Sequence, residues 1–481
     1  MSPRTIQRGE YGGGGTRRGG AIVAANTLAA RAGVEVLAAG GNAVDAAVAT
    51  AVALAVVDPA NCGIGGYGGF AVVHRVDETP HQVGFNAAVA QAHRSDPLQA
   101  RRAPGQKVTP PSVVAGLCAL GSRFGRLPRA VVWAPAIALA RDGFRVSRGL
   151  ANALRWAHSH HRGLNDAFRA TYFSGGTPLP EGALLRQPAL AETLECIVTA
   201  GADALRSGPL VDAIVEATRE GGGQLSSKDF ESLDALVALA AVGSYEGADV
   251  WTSDPEQCGA SILLAALADL DGVDLGESRH ARYIDAIGDA LSRAWQRRNR
   301  AFQPLASATA QTSHLCVSDS DGMLVSMTFT HGPVWFGSGL LARSSGMLLN
   351  CGAYLLARRA SDGAIVAQPH LTPSIVRHGE VRYALGTPGG RRIPAIVLQA
   401  VVDLVHYHAP VEHVLDAPRI SATADGVLEG ERALVEAFRD RAMTCIETSE
   451  YFGPAGALAW SREGTRGTAD PRFGDACVVM A

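Results

Sequence analysis

The sequence has no C-x-x-C pair, no apolar run long enough to cross a bilayer and no surplus of one charge. Its eight cysteines (62, 118, 196, 258, 316, 351, 445 and 477) are scattered without paired spacing. A chain of 481 residues can bury a large core and needs no covalent staples, so reduced thiols in a cytoplasm are the expectation. The longest apolar stretch, Ala46 to Val57, falls short of the roughly 20 residues a membrane helix requires. Net charge is -3, with neither a basic stripe nor an acidic tail, which argues against nucleic acid or an anionic membrane as partner. The N-terminal stretch MSPRTIQRGEYGGGGTRRGG is charged and glycine-rich and no apolar signal core follows it directly, so residues 1–18 read as a mobile tail. What remains, 47% hydrophobic and 19% charged, is the composition of a globular protein.

Cofactor and metal signatures are equally sparse. Gly63-x-Gly65-x-x-Gly68 has the form of a dinucleotide fingerprint, but it follows an Ala-rich helix and opens a strand, the reverse of the context that motif needs. Tight backbone packing accounts for these glycines better. No Gly-Lys-Ser/Thr follows, so no phosphate loop is present. The histidine runs HSHH (158–161) and HYHAPVEH (406–413) lack a helical His-x-x-x-His pair with an intervening carboxylate and lack a cysteine at ligand spacing. They read as solvated surface histidines, and no cofactor or metal is expected.

Residues 21–57 read as two Ala-rich helices separated by Gly40-Gly41. The second starts at the N-cap Asn42, stops at Asp58-Pro59 and is so poor in charge that it must be buried on most sides. A strand ending near Val76 follows, then helical stretches over 112–148, 188–221 and 259–300. From residue 312 the texture changes. SHLCVSD and MLVSMTFT flank a Ser320-Asp321-Gly322 turn, a hairpin signal, and GMLLN, SIVRH and EVRYALG add strands before the helix RIPAIVLQAVVDLVHYH. Helices dominate one half, strands and then a helix the other, which predicts sheets sandwiched by helices with strands from both halves.

Two local features carry chemistry. In YALGTPGGRRIPAIVLQAV a strand runs into Gly389-Gly390 and then a helix. This is either a plain tight turn or a set of free backbone N–H groups able to hold an anion. In QTSHLCVSDSDG the triplet Thr312-Ser313-His314 is unremarkable within a strand. It gains meaning if Gln311–Thr312 is cut, because an α-amine with a pKa of about 7.7–8.0 sits close enough to neutrality to act as base for its own hydroxyl. Thr328 and Thr330, on the return strand, are either β-branched filling or hydrogen-bond partners for that new terminus.

Taken together these pieces resemble the γ-glutamyltranspeptidase family of N-terminal nucleophile hydrolases. AAGGNAVDAAVATAVALAVVDPANCGIGGYGGF is similar to that family's N-terminal signature. PPSVVAGL, RFGRLP, APAIALARDGF, LRQPALAETL and GADAL follow in its order, as do Thr312-Ser313-His314, FGSG (336–339), GMLLN (346–350), TPGG (387–390) and ADPR (469–472). The likeness covers nearly the whole chain after the tail. It implies a four-layer αββα sandwich made as a precursor and cut between Gln311 and Thr312. The products would be a large fragment (19–311) and a small catalytic fragment (312–481), which stay together as a heterodimer. It further implies Thr312 as nucleophile, Thr330 as its orienting partner, and Gly389 and Gly390 as oxyanion donors.

The departures from the family are concentrated at the glutamyl pocket. Phe85 stands about where an arginine should grip the α-carboxylate. Tyr354 and Leu355 replace an Asp-Asp pair, and Pro369-His370 replaces Ser-Ser. Catalysis is therefore expected to persist and glutamyl recognition to be lost, since an unsatisfied amino-acid head group would cost several kcal/mol. Phe85, His331, Trp335 and Tyr354 suggest a flatter, less charged ligand, and His370 joins them by position. Arg391 is placed to meet a carboxylate near the reacting carbonyl. The expectation is an acyl hydrolase for a small non-glutamyl compound, in an intracellular specialised (antibiotic) pathway. Three alternatives stay open: removal of an oxalyl-type group by C–C cleavage in alkylproline biosynthesis, true γ-glutamyl transfer or hydrolysis, and a non-catalytic scaffold in which Pro333 and Trp335 block the site.

Overall fold

Asn42 starts the helix Ala43–Val57 with a reciprocal cap: its side chain accepts from the Val44 and Asp45 amides, and the Asp45 carboxylate accepts from the Asn42 amide. All fifteen residues of this helix are buried, as its lack of charge predicts. The computed structural model describes residues 19–86, 88–95, 103–305, 311–439, 442–446, 453 and 455–481; the N-terminal stretch 1–18 lies outside them.

Two antiparallel sheets face each other. In the first, the spatial order is Cys477–Met480, Ala21–Ala24, Gln311–Ser318, Leu324–Gly332, Gly68–His74, His81–Phe85 and Leu236–Leu239. In the second it is Gly464–Ala469, Gly456–Ser461, Val381–Gly386, Ser374–His378, Ala248–Thr252 and Ala241–Tyr245. Helices including Thr27–Ala38, Ala43–Val57, Val113–Phe124 and Arg129–Asp142 cover the first sheet, sharing one core with it. Ala260–Leu270, Ala281–Ala301 and Ile393–Val405 cover the second. Between the sheets lies a thin apolar layer that includes Val23, Val72, Trp251, Cys316, Leu324, Ile375, Ala384 and Leu458. The architecture is the four-layer αββα sandwich, and both sheets mix strands from either side of residue 312.

Two expectations are corrected. Residues 21–24 form a strand paired on both edges, not the start of a helix. Four apolar residues cannot distinguish the two, and the real helix start is Asn26, whose side chain caps the Leu28 amide at 2.9 Å. The stretch 259–300 is two helices, Ala260–Leu270 and Ala281–Ala301, parted by a Gly-containing turn. The fingerprint-like glycines are packing devices. A Cβ on Gly63 would meet the His331 ring at 2.5 Å, one on Gly65 the Leu348 carbonyl at 2.2 Å, and one on Gly68 the Phe85 carbonyl at 2.3 Å. All eight cysteines are unpaired, and among the described residues no helix is long and apolar enough to cross a membrane.

Candidate active site

Strand alternation decides which side chains reach the space between the sheets. Along Gln311–Ser318, Leu315 and Val317 point to the helix layer, while Cys316 enters the inter-sheet layer. Thr312 shares the Cys316 side and lies at the mouth of that layer, 3% exposed. The pairing slips here: Gln311 faces Gly332 and Ser313 faces Phe329, so Thr312 stands opposite the two residues Thr330 and His331. Such a bulge re-aims side chains and frees backbone from the ladder.

The bulge places two hydroxyls around one peptide bond. Thr330 Oγ1 accepts from the Gly332 amide at 2.8 Å and donates to the Gln311 carbonyl. Thr312 Oγ1 is buried with no hydrogen-bond partner. Thr328 does not join them: its hydroxyl meets His314 Nδ1 at 2.8 Å, deeper between the sheets. His314 contacts Cys316 Sγ at 3.1 Å, and burial pulls its pKa down to about 3. It is thus a neutral structural histidine at neutral pH.

Gln311 and Thr312 line a cavity of about 340 Å³ together with Trp335, Pro388 and Gly389 from the loops opposite. Gly389 and Gly390 have φ of +135° and +61°, backbone conformations that favour glycine. Gly390 opens the short turn that leads into the helix Ile393–Val405. The indole of Trp335 stands edge-on to Trp156, with ring centroids 5.3 Å apart, and the next residue, Phe336, holds φ +61° within the same loop.

Asp58 also lines this cavity, and sequence reasoning took it only as a helix stop. Burial lifts its carboxyl to about 7, against the Asn61 amide that donates to it at 2.8 Å; the charge of Asp475, also in the lining, pushes the same way as burial. A carboxyl ending a helix almost free of charge is the signal that was available.

The six residues expected to touch substrate do not converge. Phe85 is fully buried in the core beneath the first helix layer, packed on Gly69 and Gly116. It is not a pocket residue, because its register turns it away from the inter-sheet space. His331 is likewise fully buried on the helix side, against Gly63, and burial lowers its pKa to about 3. It lines neither the Thr312 cavity nor the larger one described below. Tyr354, His370 and Arg391 line that larger cavity, which is about 760 Å³ and does not include Thr312. Only Trp335 of the six shares the Thr312 cavity. The surface reading of the histidine runs also needs correction at two positions: His161 is half-buried, receiving the Gly163 amide at 3.0 Å and meeting the Gly337 carbonyl at 3.2 Å, and His406 is half-buried with its Nδ1 2.8 Å from the Glu246 carboxylate. Among the described residues no group of three or more His, Cys, Asp or Glu is arranged to hold a metal ion.

The burial of Phe85 has a measurable consequence. Phe85→Arg, which restores the residue type the resemblance called for, should lower the melting temperature severely. It would bury an unpaired guanidinium at a cost of several kcal/mol. Phe85→Ala should cost about 3–5 kcal/mol through the cavity it leaves. Thermal unfolding of both variants, read by circular dichroism, checks the placement; an Arg variant as stable as the parent would mean that the side chain reaches solvent.

Comparison with known proteins identifies the family and the fold. The chain is 28% identical over 467 residues to the glutathione hydrolase proenzyme of Escherichia coli (strain K12), covering 83% of this chain and 80% of that one. It is also 28% identical over 510 residues to the acylase ACY 1 proenzyme of Pseudomonas sp. (strain SE83), covering 93% and 90%. Among solved structures, cephalosporin acylase from Bacillus halodurans superposes with a TM-score of 0.87 over 100% of this chain and 99% of that one, at 22% identity, a likeness that establishes the fold. The sequence profile described as Gamma-glutamyltranspeptidase matches residues 29–311 and 300–480, and the chain therefore belongs to the gamma-glutamyltranspeptidase family.

Proposed function

We propose that the chain is a self-cleaving hydrolase whose nucleophile is Thr312 and which cleaves an acyl bond of a small non-glutamyl substrate. The observation that carries the reading is the paired arrangement at the bulge: one threonine hydroxyl donates to the Gln311 carbonyl while the next residue's hydroxyl is buried and unengaged beside it. A carbonyl polarised by Thr330 is the electrophile that Thr312 Oγ1 needs. Attack on the Gln311 carbon breaks its C–N bond, moves the acyl group from nitrogen to oxygen and leaves the nitrogen as an amine. Water then hydrolyses the ester, giving a Gln311 carboxylate and a free Thr312 hydroxyl. The fragments ending at 311 and beginning at 312 remain as a heterodimer.

In turnover the amine of Thr312 takes the proton from its own hydroxyl as that oxygen attacks the substrate carbonyl. It returns the proton to the leaving group, and water releases the acyl group from Oγ1. Gly389, at positive φ in the cavity wall, and Gly390, next to it in the chain, supply amides for the oxyanion, a role often worth about 3 kcal/mol per donor. Asp58 faces the same space and stabilises the protonated amine when ionised. Loss of glutamyl recognition is supported by Tyr354, Leu355 and Pro369-His370, which stand where the resemblance expects an Asp-Asp pair and a Ser-Ser pair.

Mass spectrometry of the purified protein tests the reading. Two polypeptides are expected, the second beginning at Thr312. An intact chain that nonetheless hydrolyses acyl compounds overturns it, and an intact, inert chain favours the scaffold.

A further inference from the structure

The larger cavity lies on the other side of the turn that carries Gly389, with Arg391 on its wall. We propose that this cavity is a binding site for the carboxylate of an organic acid, with the guanidinium of Arg298 as its anchor.

Arg298 comes from the helix Ala281–Ala301 and is 4% exposed, yet it lines the cavity. Its Nη2 donates to the Gln368 carbonyl at 3.0 Å, while its Nε and Nη1 are buried without a partner. Burial drags its pKa down to about 10, as expected for a charge held away from water. No carboxylate pairs with it among the described residues, whereas a buried arginine is ordinarily paired. Nη2 also reaches Gln368 Oε1 at 3.4 Å, and Nε and Nη1 lie on different edges of the guanidinium, so each offers one charge-assisted hydrogen bond to a carboxylate oxygen.

A second guanidinium supports the same ligand. Arg391 gives its Nη2 to Glu429, which also receives Arg392, and leaves Nη1 buried and unpartnered in the cavity. His370, between them, is kept neutral by burial and by both arginines, so it offers no competing charge. The one carboxylate in the lining, Asp425, is exposed and takes the Thr423 hydroxyl. Trp295, Tyr354 and Leu355 supply apolar wall. A volume of about 760 Å³ falls within the roughly 300–1,000 Å³ of small-molecule sites. The ligand class is thus an acid with an apolar or aromatic body.

Binding of such an acid requires no bond to be cut. Assigning its carboxylate to the substrate, however, rests on the threonine chemistry proposed above, and the test separates the two. Calorimetric titration of the full-length protein with 4-phenylbutyrate and with its uncharged primary amide should show saturable binding of the acid, at least about tenfold tighter than the amide. Arg298→Gln should abolish that preference and leave amide binding unchanged. Arg298→Lys, which keeps the charge on a single terminal nitrogen, should recover only part of it. Circular dichroism and melting temperature establish that each variant is folded, and the Lys variant carries the test if the Gln variant is not. Equal affinities for acid and amide, acid binding untouched in both variants, or no binding of the acid at millimolar concentration would each overturn the site. Mass spectrometry of the parent protein keeps the two readings apart: a parent that never cuts itself yet still binds the acid leaves the carboxylate site standing and removes the hydrolase, and acid binding by Thr312→Ala shows that the site does not need the cut. For hydrolysis of acyl compounds with a distal carboxylate, a raised KM in Arg298→Gln places the acid on the substrate. An unchanged KM places it on a separate ligand of the same site.

Discussion

Replacing Thr312 with alanine should leave one uncut chain and reduce acyl hydrolysis by at least about 10³-fold, the scale of losing a nucleophile. The reason is geometric. Thr312 Oγ1 is the unengaged hydroxyl beside the polarised Gln311 carbonyl, and removing it deletes both the group that cuts the chain and the group that later carries the acyl intermediate. Thr312→Ser should separate the roles from the shape of the side chain, since serine keeps the oxygen and loses only a methyl group; slower maturation with measurable turnover is expected. Stability should fall by only about 1 kcal/mol, the cost of the buried methyl group, because the deleted hydroxyl makes no hydrogen bond. Denaturing electrophoresis and a melting curve on the same preparation read all three. An alanine variant that still matures at residue 312 would transfer the chemistry to another group.

Thr330→Val should slow self-cleavage by about 10²–10³-fold, the second largest effect. The Thr330 hydroxyl accepts from the Gly332 amide, and this orients its own proton toward the Gln311 oxygen. Valine keeps the shape but removes the donor, and it leaves the Gly332 amide without its acceptor at a cost of about 1–3 kcal/mol. Thr330→Ser should mature at close to the parental rate. Following the uncut band with time after purification distinguishes these cases. A valine variant cut as fast as the parent would mean that Gln311 is activated by something other than this hydroxyl.

The sandwich could be read from the sequence because its signals were local: the Asn42 cap, the Asp58-Pro59 stop, the hairpin around Gly322 and the strand–Gly-Gly–helix at 389–390. Thr312, Thr330 and Gly389 could be singled out only through the resemblance to the family, because each is ordinary for a strand or a tight turn when read alone. Phe85 and His331 were misplaced, because sequence places a residue on a strand but does not say which face it serves. A register one residue away would have put either into the inter-sheet space. Asn86, the neighbour of Phe85, does point the other way, donating to the Ala367 carbonyl at 3.0 Å near the larger cavity. Arg298 was illegible for another reason. A basic residue on an amphipathic helix normally faces water, and only the packing of Trp295 and Gln368 around it reveals a charge enclosed and unanswered.

The interleaving of strands sets how a severed chain would behave. Ala21–Ala24 is hydrogen-bonded between Gln311–Ser318 and Cys477–Met480, so a segment from before the cut is clasped on both edges by segments from after it. Prising the pieces apart would mean melting the sheet itself. The matured protein should therefore lose its halves and its fold in one cooperative event, with a midpoint that falls as the protein is diluted.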